Sequence, residues 1–227
     1  MTKVVLGFGN SSKAPLKAWE PLHSDWKFCV LDCWSVVQKL EIPEEKVDED
    51  APTFFTDHSF FIEEPAVAVR FGADKYQYTE TADIIRFRPD YQRLLHTERE
   101  AHLTSVLSEL QGVDQLIVLA DLSAPLTRSW GPGVLPAIAG AGASVTLVSL
   151  YPGALHGALA TREAQAFSTA LMEPGILHYT LFWDEVAQDC GHMSIASFFS
   201  VCEGLLADAL GNVLRNEVPD PQWFHIV

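Results

Sequence analysis

Short apolar runs recur along the chain and are separated by loops and amphipathic stretches. Runs of this length predict buried β-strands, and apolar residues at helical spacing between them predict helices. Strands that alternate with helices are typical of a parallel sheet with helices on both faces. We therefore predict one domain over residues 1–227, an α/β three-layer sandwich with a mostly parallel sheet. The predicted strands are Lys3–Phe8, Lys27–Leu31, Gln115–Ala120, Ser144–Leu150 and Ile176–Trp183.

The helices are predicted from periodicity and from their end signals. Ser11 or Ser12 is placed to cap a first short helix that ends at Trp19. A helix with apolar spacing from Tyr91 ends at Gly112. The remaining predicted helices are Cys33–Leu40, Val134–Ala141, Thr161–Met172 and Ser194–Leu214.

Two segments do not fit the alternation of strands and helices. Thr53–Arg88 is rich in aromatic and β-branched residues and predicts a small β insertion of two or three strands. Strand alternation cannot place all of its paired phenylalanines on one face, so an exposed pair would suit a protein interface. Residues 216–227 form a tail with two prolines and an aromatic end, Trp223–Val227, the second candidate for a partner contact. The four phenylalanines of the predicted β insertion are Phe54, Phe55, Phe60 and Phe61.

Composition excludes several classes of function. A net charge of −15 argues against nucleic acid and anionic membrane surfaces as partners. The first residues lack the layout of a secretory signal, and four cysteines without ligand spacing predict reduced thiols in the cytoplasm. The 33 positions between Arg128 and Arg162 carry no Asp, Glu, Lys or Arg. Prolines and glycines interrupt them, so we predict a buried core unit and no direct membrane insertion.

Familiar catalytic motifs are missing from the sequence. It contains no P-loop, no G-x-S-x-G elbow and no H-E-x-x-H pair. Cys190 and His192 form a two-ligand fragment without partners at zinc spacing, and we interpret them as polar loop residues. We therefore predict no catalytic residues and no metal site.

The turn after the first strand partly resembles a dinucleotide-binding fingerprint. Gly7 and Gly9 with Asn10 follow a strand and precede a helix, and Asp32 lies where a ribose-binding acid would sit. Ser12 replaces the third glycine of the fingerprint. Two interpretations stay open: a plain strand-to-helix turn, or a nucleotide site at this switch point.

The segment from Val113 to Gly157 reads as a strand, a loop, a helix and a second strand. In such a unit the loop after the first strand faces the ligand crevice, where nucleotide-binding proteins place glycines. Here the predicted loop is Ala124–Trp130, and glycines follow only at Gly131 and Gly133.

The order of elements and several local strings resemble the GTPase domain of the tubulin/FtsZ family. The family's first turn, Gly-rich with an Asn, matches Gly7–Asn10, and the acid that ends its second strand matches Asp32. Its signature loop, G-G-G-T-G-T-G before a helix with a proline, falls on Thr127–Gly133 before Pro136. The resemblance covers most of the chain and is strongest over Gln115–Leu214.

The resemblance implies a nucleotide pocket whose chemistry is altered here. Arg128 with Ser129 and Trp130 stands where the family has glycines, His156 stands for its ribose-binding Glu, and Cys202 for its guanine-reading Asn. The family's C-terminal domain and its acidic catalytic loop are not matched, and only Asp220 lies near that place. The vestigial pocket is predicted to comprise Gly7, Gly9, Asn10, Asp32, Arg128, Gly131, Gly133, His156 and Cys202.

The resemblance therefore implies a degenerate GTPase that is not an enzyme and holds no GTP or GDP as cofactor. Its expected role is that of a scaffold or regulator of a cytoskeletal or membrane-remodelling system, acting on a protein partner or by self-association. The alternative is a nucleotide-binding enzyme or sensor that uses a Rossmann-like switch-point site.

Overall fold

The computed structural model describes residues 1–9, 12–31, 99–100, 102–153, 157–172, 175–190 and 195–227. The predicted helix Cys33–Leu40 and the predicted insertion Thr53–Arg88 lie outside the described residues. Three predicted pocket residues, Asn10, Asp32 and His156, also lie outside them.

A six-stranded sheet forms the middle layer, in the order β2-β1-β3-β4-β5-β6. β1 to β5 are mutually parallel, and β6 pairs antiparallel with β5. All five predicted strands are confirmed, each within one residue at its ends. β6 in the tail was not predicted. The strands are β1 Lys3–Phe8, β2 Lys27–Leu31, β3 Gln115–Asp121, β4 Ser144–Tyr151, β5 Ile176–Phe182 and β6 Phe224–Ile226.

Helices cover both faces of the sheet. They are α1 Lys13–Trp19, α2 (residues 102–109, with 99–100 also helical), α3 Pro125–Gly140, α4 Gly157–Ala170, α5 Trp183–Cys190 and α6 Ile195–Leu214. A 3-10 turn, Glu20–Leu22, follows α1. The sequence did not predict α5. No helix in the described ranges combines the length and the apolar content that crossing a membrane requires.

The predicted loop Ala124–Trp130 is wrong, because α3 begins at Pro125 and continues without a break to Gly140. Proline suits this first helical position, since its missing N–H would have no helical acceptor there. Pro132 and Pro136 lie inside the same helix. The prediction of a helix over Val134–Ala141 therefore captured only its second half.

Two apolar cores lie on opposite faces of the sheet because successive strand residues point to opposite sides. In β1, Val4, Leu6 and Phe8 face α2, α3 and α4, whereas Val5 faces α1, α5 and α6. Strands buried on both faces read as continuous apolar runs, which is why they stood out in the sequence.

Two glycines of α3 allow neighbouring helices to approach closely. A Cβ at Gly131 would collide with the Phe167 ring of α4, and one at Gly133 would lie 3.3 Å from Leu103 Cδ2 of α2. Their small size therefore serves helix packing.

The aromatic tail is part of the sheet. Phe224 pairs with Leu181 of β5 and is buried, whereas Ile226 is 67% exposed. The tail is therefore attached to the sheet, and its contact with a partner stays a prediction.

A buried polar cluster joins β4 and β5. His178 Nε2 lies 2.7 Å from Ser149 Oγ and 3.0 Å from Thr180 Oγ1. All three side chains are buried, and burial lowers the pKa of His178 to about 4.

We predict that Gly131→Ala lowers the free energy of unfolding by about 1–2 kcal/mol, because overpacking against Phe167 outweighs the gain in helix propensity. The matched control is Gly204→Ala in α6, where a Cβ meets nothing within 4 Å. That variant should be stabilised by up to about 1 kcal/mol. Chemical denaturation measures both, and equal effects of the two substitutions would contradict the packing role of Gly131.

We predict that His178 makes the fold sensitive to acid. In the unfolded state its imidazole takes up a proton near pH 6.5, the ordinary pKa of histidine, whereas in the folded state the pKa is about 4. Stability therefore falls as the pH drops from 6.5 to 4, by about 3 kcal/mol in all. Denaturation curves of wild type and His178→Asn over this range should show a shallower pH dependence in the variant. Identical slopes would exclude His178 as the source.

Candidate functional site

The strand order places a crevice between β1 and β3. From β1 the chain moves to β2 on one side, and β3 then lies on the other side of β1. In open α/β sheets ligands bind at the carboxyl ends of the strands where the order reverses in this way. Here that switch-point crevice is bordered by Gly9, Ser12, residues 121–124 and the first turn of α3.

The turn after β1 is closed by contacts within the chain. Gly9 has a φ of 70°, which favours glycine, and its N–H donates to Leu31 O at 2.9 Å. Ser12 Oγ donates to Gly9 O at 2.7 Å, and a Cβ at Gly7 would collide with this Ser12 oxygen. Both glycines are thus required by a tight strand-to-helix turn, which fits the first of the two interpretations given above.

The backbone N–H groups of the loop after β3 are hydrogen-bonded to acceptors within the protein. Leu122 N–H donates to Leu150 O at 2.9 Å, Ser123 N–H to Asp121 Oδ1 at 2.8 Å, and Ala124 N–H to Asp121 O at 3.1 Å. Pro125 has no N–H to offer. A phosphate-binding loop needs several free N–H groups directed at the ligand. Residues 122–125 do not provide one, and the N–H groups of Leu126 and Thr127 are the ones in this part of the described chain that keep no acceptor.

Arg128 is held by the loop and by α4. Its Nη1 donates to Ser123 O at 2.6 Å and to Leu122 O at 3.0 Å. Its Nη2 lies 2.8 Å from Glu163 Oε2, in a pair whose side chains are 12% and 30% exposed. Both terminal nitrogens of this guanidinium are therefore bonded within the chain.

Apolar side chains fill the space beside the turn. Leu126 is buried, and its Cδ2 lies 3.5 Å from the position of a Cβ on Gly9. Trp130, one turn further along α3, is fully buried in the core. The side chains at the start of α3 therefore pack inward at the place where a ligand would approach.

Cys202 lies in α6 on the other face of the sheet. It is buried, and burial raises the pKa of its thiol to about 12, with smaller contributions from Cys190, Asp121 and Glu203. A thiol in this state is neither a nucleophile nor a metal ligand at neutral pH. Within the ranges described, no group of three His, Cys, Asp or Glu side chains is arranged to hold a metal ion.

The structure brings some of the predicted pocket residues together. Gly7, Gly9 and Arg128 lie in or beside the crevice, whereas Gly131 and Gly133 lie within α3 against other helices. Leu126 and Asp121 were missed. Pro125 after Ala124 was the available signal for an early helix start. No local pattern links Arg128 to Glu163, because the pair joins two helices 35 residues apart in sequence.

We predict that Arg128→Ala lowers the free energy of unfolding by roughly 2–3 kcal/mol, because a charged group loses three mostly buried contacts. Arg162→Ala, at an exposed position of α4, is the control and should change stability by less than about 0.5 kcal/mol. Thermal and urea denaturation provide the measurement. If Arg128→Ala were neutral without phosphate and abolished a stabilisation by phosphate, Arg128 would be a ligand-binding residue instead.

Comparison with known proteins finds similarity in structure and not in sequence. No protein-family model and no curated protein matches the sequence. An FtsZ dimer from M. jannaschii matches with a TM-score of 0.62 at 10% identity, over 97% of this chain and 56% of that one. A GDP-bound CetZ1 monomer from Haloferax volcanii matches with a TM-score of 0.59 at 13% identity, over 97% and 62%.

A third match is the GTPγS-bound CetZ2 protofilament from Haloferax volcanii, with a TM-score of 0.57 at 16% identity, over 94% of this chain and 58% of that one. The chain thus spans a little over half the length of these structures. The mostly parallel sheet and the helices on both of its faces agree with what the sequence resemblance implied. The chain has the fold of the GTPase domain of the tubulin/FtsZ family.

Proposed function

We propose that this protein is a non-catalytic FtsZ/tubulin-like protein that acts in the cytoplasm through protein contacts. Its role would be that of a scaffold or regulator in a cytoskeletal or membrane-remodelling system. The observation that carries the proposal is the connection between β3 and α3, where the N–H groups of Leu122, Ser123 and Ala124 are bonded within the chain and Arg128 Nη1 donates to Ser123 O.

Loss of nucleotide chemistry is supported by the start of α3. Phosphate binding at a helix N-terminus depends on free N–H groups and on close approach of the ligand to the backbone. Leu122, Ser123 and Ala124 direct their N–H groups to acceptors in the protein, and Leu126 packs beside Gly9. Phosphate could use the N–H groups of Leu122, Ser123 and Ala124 only after these contacts were broken.

Action through protein contacts is supported by the kind of proteins that share the fold. One of the matching structures is a dimer and another is a protofilament. A domain that keeps such a fold without using its ligand crevice can still act by binding other proteins through its surface. We propose a protein partner or a small closed self-association as the use of those surfaces.

The alternative function is a nucleotide-binding enzyme or sensor at the same crevice. One observation favours it: Lys13, the first residue of α1, is fully buried next to the Gly9 turn. A matching CetZ1 structure contains GDP, although that is a property of CetZ1.

We predict that no GTP or GDP co-purifies with the protein and that no hydrolysis of GTP is measurable, because the N–H groups of the loop are already used. Mass spectrometry of the heat-released small molecules and calorimetric titration with GTP and GDP test this. A nucleotide-binding FtsZ carried through the same procedure controls for loss of ligand. Stoichiometric nucleotide, or saturable heat of binding, would establish the alternative.

We predict that the protein forms no filaments in response to GTP and sediments as a monomer or small oligomer. Analytical ultracentrifugation with and without GTP gives the size, and electron microscopy shows any polymer. Filaments that appear only with GTP would contradict the proposal even if binding were too weak for calorimetry.

A further inference from the structure

A groove lies at the far end of α1 from the switch-point crevice. Its volume is about 440 Å³, and it opens between the second half of α6 and the turn before β6. We call it the tail groove; Trp19 ends α1 there, whereas the crevice borders the start of that helix. Its polar lining residues are Asp208, Asn212, Arg215 and Asp220, and its aromatic ones are Trp19, Trp223 and Phe224.

One wall of the tail groove already holds a cation of its own chain. Arg215 Cζ lies 5.6 Å from the centroid of the Trp19 ring, within the range of a cation–π contact. Trp19 is fixed, since its Nε1 donates to Ala207 O at 2.7 Å and its ring fills the space where Gly211 has no Cβ. The groove thus shows in its own structure that its lining accommodates a guanidinium.

The turn before β6 adds a second tryptophan to the lining of the groove. Trp223 sits on a turn that Asp220 holds together, with Trp223 N–H donating to Asp220 O at 3.0 Å and Gln222 N–H to Asp220 Oδ1 at 2.9 Å. Across the described ranges, Asp208 and Asp220 take part in no ion pair, and no cation lies over the Trp223 ring. The tail groove is thus lined by two carboxylates and by one guanidinium, that of Arg215, which is already paired with Glu217 at 3.0 Å.

We propose that the tail groove binds an arginine or lysine side chain presented by a protein partner. The side chain would lie against Trp223 and pair with Asp208 and Asp220, an arrangement in which aromatic face and carboxylate both favour a cation. This inference rests on the proposed function, which supplies the protein partner; the groove adds that the partner contributes a cationic side chain.

Charge identifies the kind of partner. The chain carries a net charge of −15, so two copies repel each other, whereas a protein with a basic surface is attracted. The occupant is therefore a basic segment of another protein. The test must distinguish this partner from a second copy of this chain.

The test uses nuclear magnetic resonance of the tryptophan indole N–H groups during titration with a peptide of alternating glycine and arginine. The same peptide with citrulline in place of arginine keeps the shape and removes the charge. Trp19→Phe and Trp223→Phe assign the two indole signals. We expect the arginine peptide to shift both signals saturably and the citrulline peptide to shift neither.

A pair of charge-matched variants separates the groove from general attraction. Asp208→Asn with Asp220→Asn should weaken binding of the arginine peptide about tenfold. Glu109→Gln with Asp189→Asn removes the same charge at exposed positions outside the groove and should weaken it less than about threefold. Equal weakening by the two pairs, equal binding of the citrulline peptide, or unshifted indole signals would each overturn the proposal.

Sedimentation separates a second copy of this chain from a different protein as the occupant. If sedimentation shows a dimer that Trp223→Ala abolishes, the groove is filled by a second copy and the proposal is wrong. The titration contains no nucleotide, so its result is independent of the GTP experiments that test the proposed function. A negative titration would contradict this inference and leave the proposed function unchanged.

Discussion

The start of helix α3 at Pro125 constrains the whole switch-point crevice. Because β3 ends at Asp121, only residues 122–124 connect strand and helix. A connection this short keeps its N–H groups close to acceptors in β3 and β4, and they are bonded there. The early start also directs Leu126 and Arg128 inward, so one local feature leaves residues 122–125 without a free N–H group and fills the space beside Gly9.

The glycines of α3 show how a pattern can be kept while its use changes. Gly131 and Gly133 match the last glycines of a phosphate-binding loop in sequence. In the structure they lie within the helix, and Phe167 and Leu103 take the space beside them. Their small size is required for packing, so their presence in the sequence carries no information about nucleotide. The surface that we propose as a binding site lies at the other end of α1, where Trp19 and Trp223 line the tail groove.

The sequence predicted the parallel sheet because β1 to β5 are buried on both faces and therefore read as continuous apolar runs. It failed at the start of α3, where Pro132 and the glycines look like a loop although tertiary packing holds them in a helix. β6 is three residues long and follows two prolines, so it gave no strand pattern. Contacts that decide the site, such as Arg128 with Glu163, join distant segments and leave no periodic signal.

Amide hydrogen exchange at the crevice tests the central claim most directly. The N–H groups of Gly9, Leu122, Ser123 and Ala124 are bonded to acceptors of the protein itself. The account predicts that all four exchange slowly in the nucleotide-free protein and that millimolar GTP leaves their rates unchanged. Rapid exchange of these four amides without nucleotide, followed by protection when GTP is added, would show a working phosphate site and contradict the account.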